Sequence, residues 1–358
     1  MVGDKARYRT IDSLRGFAAI AVVFFHLTGN IRQELSMWVP EIVMTIFSYG
    51  YLGVPVFFVI SGFVIAQSIA NANVNLKFAG NFALRRMIRL DPPYWASIII
   101  AMVLLAMKNA MQVNEEPYPS FSTLAAHIFY LQDLLKIPPV ISEVYWTLCL
   151  EVQFYLFFIF SAVLMSAIAP SKYWGKNLHF ILILAFGVAS ILADYKLLNS
   201  MPSGFFLPYW HYFVTGIILS EVAKKTPYAT LIFLFWLGFE VIMQISQPLR
   251  PYTIALIFCA AFVYLGLFFN ALDRWLVYRP FLFLGYISYS LYLLHPDIGW
   301  KAISIGKTYY GLDMAWYQSA GVFAGGITIS ILAAWLLVVL IEQPSVRLAK
   351  KFKIKPVS

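Results

Sequence analysis

The stretch SLRGFAAIAVVFFHLTGN (13–30) sets two ionisable side chains, Arg15 and His26, in an apolar run. Their spacing places them ~16 Å apart along a helix axis and within ~20° of the same face. An imidazole titrates nearest to neutral pH and is the usual general base. Among apolar residues it is costly, so His26 is expected to face a cavity or a polar partner rather than lipid. Arg15 has a plainer alternative, reaching back to lipid headgroups at the membrane surface. Asp12 reads either as a helix cap or as the i,i+3 partner of Arg15.

A second constellation is SEVYWTLCLEVQFYLFF (142–158). Glu151 lies ~10 Å inside its apolar segment and His26 ~6 Å inside its own, which are comparable depths. A carboxylate beside a histidine orients the ring and raises its basicity, so Glu151 is a candidate partner for His26. The alternative is interhelical glue through a serine, a tyrosine or a backbone carbonyl. Trp146, Tyr145 and Tyr155 read first as interface aromatics or packing. In RRMIRL, Arg86 and Arg89 share a helical face and suit phosphate oxygens, although spacing alone favours ordinary cytoplasmic charge. YISYSLYLLHP ends in His295, which reads as a cap on the last carbonyls of a helix. His127 and His179 read as incidental and His211 as undecided. The sequence carries no metal-ligand cluster, phosphate loop or nucleophile elbow, and Cys149 and Cys259 sit in apolar runs without motif spacing.

The elements that must position these residues are membrane helices. Hydrophobic residues make up 61% of the 358 and charged residues only 12%, against about 25% charged in soluble domains. The expected fold is an all-α, polytopic transmembrane bundle forming a single membrane domain, with spans near 11–30, 49–69, 92–108, 144–168, 178–194, 205–222, 228–246, 252–270, 281–295 and 317–341. With the N-terminus inside, 19 of the 26 basic residues fall in cytoplasmic segments and 7 outside, so both termini are expected in the cytoplasm. That asymmetry also accounts for the net charge of +9 without nucleic acid. The basic N-terminus resembles a signal peptide, but without a small-x-small cleavage site it reads as a retained first span. FAGNFALRRMIRLDPP (78–93) is expected to lie along the inner membrane surface, and LAAHIFYLQDLL (124–135) to form an outer surface helix or a re-entrant turn. The residues after Ile341 are expected to form a short basic tail.

Together RTIDSLRGFAAIAVVFFHL, GVPVFFVISGFVI, RRMIRLDPPYW, VYWTLCLEVQFY, GYISYSLYLLHP and the terminal IEQPS resemble the acyltransferase 3 family of integral membrane proteins, from residue 9 to 345. The resemblance implies about ten helices in a bacterial cytoplasmic membrane. It also implies transfer of an acyl group, usually acetyl from acetyl-CoA, to a hydroxyl of an extracytoplasmic carbohydrate or lipid-linked glycan such as a surface polysaccharide, lipopolysaccharide or peptidoglycan. By this resemblance His26 is the essential histidine and Arg15 its paired arginine. Arg86 and Arg89 become the donor-binding pair, and Trp146 and Glu151 belong to a further motif. The catalytic set is then His26, Glu151 and Asp12, with Arg15, Arg86 and Arg89 toward acetyl-CoA and Trp146, Tyr155 and His295 toward the acceptor. The sequence departs from the family in two places: no extracytoplasmic hydrolase-like domain follows, and Gln343 stands in the terminal block. The rival class is a transporter, which also buries charge among helices. Against it, no inverted repeat and no matched pair of interrupted helices is visible.

Overall fold

The computed structural model describes residues 8–70, 72–111, 116–169, 171–198, 201–311 and 313–352. Of the basic residues counted above, Lys5, Arg7, Lys353 and Lys355 lie outside the described residues. The helices are α1 (Arg9–Asn30), α2 (Arg32–Ser36), α3 (Glu41–Ser48), α4 (Gly53–Ile69), α5 (Leu76–Ala110), α6 (Phe121–Ile128), α7 (Trp146–Ile168) and α8 (Lys172–Asp194). They continue with α9 (Trp210–Ala223), α10 (Ala229–Ser246), α11 (Pro251–Phe268), α12 (Arg279–Leu294), α13 (Trp300–Tyr310), α14 (Trp316–Leu337) and α15 (Gln343–Lys351). No strand occurs among the described residues.

Eight helical stretches are long and apolar enough to cross a bilayer: 9–30, 41–69, 76–110, 146–168, 173–194, 229–246, 251–268 and 316–351. Two more expected spans are occupied by shorter helices, α9 with 14 residues and α12 with 16. Helix α9 is buried continuously from Trp210 to Ser220, so protein rather than lipid surrounds it. The outer apolar belt comes instead from residues such as Phe160, Phe235 and Phe258, each more than half exposed on the protein surface. The protein is an integral membrane protein.

Two segments differ from the expected layout. The basic stretch 78–93 does not form a separate surface helix, because α5 runs unbroken through Pro92 and Pro93 to Ala110. Two adjacent prolines normally mark a boundary, since each lacks an N–H and disfavours helix in the residue before it. Here neighbouring chain clamps the site: Tyr130 Oη donates to Asp91 Oδ1 at 2.9 Å and Tyr94 Oη donates to the His127 carbonyl at 2.9 Å. The segment after Ile341 is likewise no loose tail. A wide π turn at Val338–Glu342 leads directly into α15, whose contacts with α5 bring Glu342 to Arg89 of that helix.

Between helices in lipid, apolar burial supplies little net drive, and close backbone approach through small residues takes its place. Helix α1 packs against α12 in this way. A Cβ at Gly16 would lie 2.2 Å from the Phe281 carbonyl, and one at Gly285 would lie 2.0 Å from the Asp12 carbonyl. The opposing atoms are backbone and have no rotamer to yield. On its other side α1 meets Gly50 and Gly53, whose added Cβ atoms would reach the Ala21 and Ala18 carbonyls at 2.0 and 2.4 Å. The substitution Gly285→Ala is therefore expected to cut the yield of monodisperse protein in detergent several-fold. Gly325→Ala, where nothing lies within 4 Å, should match the wild type; equal yields for both would contradict this packing account.

Candidate active site

The α1–α12 contact carries its register outward to two histidines. His26 lies one turn from the outer end of α1, and His295 begins the π turn His295–Gly299 that follows α12. Their rings meet, with Nε2 of His295 3.0 Å from Nδ1 of His26. Each Nδ1 also faces a carbonyl one turn back: Leu291 O at 2.9 Å for His295 and Val22 O at 3.1 Å for His26. These carbonyls fix the tautomers, because a carbonyl can only accept. Nδ1 of His295 must carry a proton to bond Leu291, which leaves its Nε2 as an acceptor in the neutral ring. Nδ1 of His26 likewise carries its proton, shared between the Val22 carbonyl and Nε2 of His295, and Nε2 of His26 keeps its lone pair. The dyad thus presents one free basic nitrogen, on His26.

Three further contacts hold this end of α1. Trp300 Nε1 donates to the His26 carbonyl at 2.7 Å, and Asn30 Nδ2 donates to the Trp300 carbonyl at 3.0 Å. Lys307 Nζ donates to the Asn30 carbonyl at 3.0 Å while pairing with Glu34 at 2.7 Å. The position of His26 is therefore set from both α12 and α13.

Toward the Arg15 end of α1 lies a cavity lined by Arg15, Arg86, Arg89, Glu151, Tyr155 and Glu342, with Ser288, Tyr289 and Tyr292 of α12 along one wall. Its empty space is ≈ 870 Å³, part of it continuous with solvent. Three guanidiniums thus share the cavity with two carboxylates. Arg15 and Arg89 are close enough to repel each other, and both feel Glu342 and Glu151. Arg86 stacks over the Tyr155 ring, with its Cζ 4.7 Å from the centroid. Such an excess of buried positive charge suits an anionic ligand with several oxygens. Tyr292 lines the cavity on the α12 wall. Its hydroxyl lies 2.8 Å from Thr147 Oγ1, and its ring lies 5.9 Å from that of His295, just past the end of α12.

The residues singled out from the sequence are distributed as follows. Arg15, Arg86 and Arg89 converge in the inner cavity. Glu151 joins them there, and does not orient His26. Its Oε1 accepts from Ser61 Oγ at 2.7 Å and from Tyr155 Oη, while the Nδ1 position of His26 is taken by His295. The face of α7 that carries Glu151 turns toward α4 and α5. Asp12 cannot orient His26 either, because it precedes it on the same helix by ~21 Å of axial rise. It sits in the first turn of α1, where a carboxylate complements the helix dipole and acts on Arg15. Tyr155 lines the arginine cavity rather than an acceptor surface. Trp146 lies apart, its ring tilted against Tyr209 at 5.6 Å beside a separate pocket. His295, read as a helix cap, does make the cap-like bond to Leu291 and in addition meets His26. His211 is buried against Glu240, with Nδ1 to Oε1 2.7 Å. Glu342, Tyr292 and Ser61 had no signal as site residues, although Tyr292 stands three residues before His295 and Glu342 opens the terminal EQPS.

The family described as an acyltransferase domain matches residues 8–339. The chain is 33% identical over 150 residues to a putative acetyltransferase of Acidianus two-tailed virus, covering 41% of this chain and 38% of that protein. It is 26% identical over 206 residues to the peptidoglycan O-acetyltransferase OatA of Listeria monocytogenes, covering 54% and 29%. A putative O-acetyltransferase of Staphylococcus aureus matches at 25% over 214 residues, covering 54% and 32%. The matched region thus spans only about a third of the length of these relatives. No solved structure gives a significant match. With the family match running over nearly the whole chain, the protein belongs to the acyltransferase 3 family.

Proposed function

We propose that the protein is a membrane O-acetyltransferase that carries acetyl from cytoplasmic acetyl-CoA to a hydroxyl of an extracytoplasmic carbohydrate. The observation that carries this reading is the inner cavity, which begins among three arginines and runs along α12 to within one turn of His295. The phosphates of the donor suit Arg15, Arg86 and Arg89, and the thioester arm extends past Ser288 and Tyr289 toward the dyad. The carbohydrate acceptor is suggested by the peptidoglycan O-acetyltransferase among the relatives.

In this reading Nε2 of His26 takes the proton of the acceptor hydroxyl as its oxygen attacks the thioester carbonyl. The C–S bond breaks, the ester forms, and the coenzyme A thiolate leaves and recovers the proton. The imidazolium formed on His26 is stabilised by sharing its Nδ1 proton with neutral His295. A route through an acyl-histidine on the same Nε2 uses the same residues; rapid quenching with acetyl-CoA and no acceptor would show a protein-bound acetyl group for that route and none for direct transfer.

The test of the proposal is label transfer from acetyl-CoA to glycan by purified protein in liposomes. A glycan ester is the expected product, and substrate flux without covalent change would reject the reading. His295→Asn is expected to lower kcat about tenfold or more, the scale of a hydrogen bond to the charged imidazolium, with little change in the KM for acetyl-CoA. A variant with unchanged kcat would remove His295 from the mechanism.

A further inference from the structure

The structure holds a further pocket, whose lining shares no residue with the arginine cavity. It opens where α7 begins, α8 ends and α11 begins, and is lined by Trp146, Tyr209, Tyr212 and Tyr252 with Asp194 and Arg250 at its edge. We propose that this pocket binds a sugar ring of the acceptor glycan and delivers its hydroxyl to His26; the inference rests on the acetyltransferase reading above.

Three observations point to a saccharide. The first is the lining. Four aromatic side chains provide the flat apolar faces against which the C–H face of a pyranose packs, while a few polar groups at the rim fix orientation. The second is charge. Arg250 pairs with Asp194 at 2.8 Å and stacks over Tyr195 at 4.7 Å. Its charge is cancelled locally, so the rim offers guanidinium donors and a carboxylate acceptor to hydroxyls rather than a bare cation to an anion. Asp194 is braced from behind, its Oδ2 lying 3.6 Å from Nε2 of His211, which Glu240 holds from its other nitrogen at 2.7 Å. The buried histidine that the inner cavity leaves unused thereby acquires a structural purpose. A phospholipid headgroup would present an unpaired phosphate to this neutralised pair, which makes it the poorer occupant.

The third observation is continuity with the catalytic nitrogen. Tyr252 lies 5.6 Å from Tyr51, Tyr51 lies 5.3 Å from Phe25, and Phe25 lies 5.0 Å from His26, all measured between ring centroids. A wall of rings therefore leads from the pocket to the dyad. Trp146 and Thr147 are adjacent in sequence yet line this pocket and the arginine cavity respectively, so the first turn of α7 is the partition between the two substrates.

The test pairs kinetics with direct binding. Tetrasaccharides of glucose, mannose, galactose and N-acetylglucosamine serve as acceptors, and saturation-transfer NMR on the catalytically inactive His26→Ala variant reports binding independently of transfer. Tyr252→Ala and Trp146→Ala are expected to raise the KM for the accepted saccharide at least tenfold and to abolish the saturation-transfer signal. The Kd for acetyl-CoA should stay unchanged, which also reports that these variants fold. Tyr252→Phe keeps the ring and should retain most of the affinity. Unchanged saccharide KM in both alanine variants would overturn the assignment. So would displacement of the saccharide signal by glycerol phosphate, which would mark a lipid-headgroup site. If no saccharide is acetylated but one binds in a Tyr252-dependent way, the pocket stands and the acetyltransferase reading fails; if none binds at all, the pocket assignment fails.

Discussion

His26→Ala is expected to lower acetyl transfer by about a hundred- to ten-thousandfold, the range a positioned general base supplies, with yield and membrane insertion unchanged. The expectation follows from the tautomers. Both Nδ1 atoms of the dyad carry protons, one bonded to Leu291 and one shared between Val22 and the neighbouring ring, so the dyad's uncommitted lone pair belongs to Nε2 of His26. No other side chain in the dyad can replace it, because Nε2 of His295 is already accepting. His26→Gln, which keeps polarity and approximate volume, should be as inactive as the alanine variant. The fold should tolerate both changes, since α1 is held by glycine contacts with α12 and α4 and by the Trp300 and Lys307 bonds to its backbone carbonyls. Initial rates with labelled acetyl-CoA, normalised to folded protein, check the prediction. A variant retaining a tenth or more of the wild-type rate would reject His26 as base or carrier.

Arg89→Ala is expected to raise the KM for acetyl-CoA about ten- to a hundredfold, the loss that follows when charged hydrogen bonds of about 1.5–3 kcal/mol are removed. The effect should appear in donor binding, while the acceptor KM stays near wild type. Arg86→Ala should act in the same direction and also free the Tyr155 ring over which the guanidinium stacks. Arg89→Lys should recover only part of the loss, because an ammonium lacks the planar fork that matches two phosphate oxygens at once. Isothermal titration with acetyl-CoA and with desphospho analogues separates these contributions. Equal donor affinity in wild type and Arg89→Ala would place the donor elsewhere.

How much of this was legible in the sequence varied with the kind of information needed. His26 stood out because an imidazole in an apolar run has no cheap explanation, and the arginines followed from the family motifs. Helix existence was equally plain, since long apolar runs admit few other structures in lipid. The partner of His26 was not legible. Depths counted from span ends put Glu151 level with His26, whereas the structure groups that carboxylate with Ser61, Tyr155 and the arginines. His295 concealed its role because its local bond to Leu291 already satisfies the sequence-level expectation of a helix cap, and its second partner lies 269 positions away. Consecutive prolines at 92 and 93 argued for a boundary that Tyr130 and the His127 carbonyl override from outside the segment. Gly16 and Gly285 set the distance between the two histidine-bearing helices, but nothing local distinguishes them from the other glycines among the 20 in the chain.

The central claim is that a thioester admitted from the arginine side meets a hydroxyl admitted from the aromatic side at one imidazole between them. It is tested most directly in liposomes of uniform protein orientation, with labelled acetyl-CoA confined to one compartment and the saccharide to the other. Label should accumulate on the saccharide only when acetyl-CoA faces the Arg86–Arg89 end, and should vanish with His26→Ala. Equal labelling with acetyl-CoA supplied solely on the Trp146 face would contradict the account.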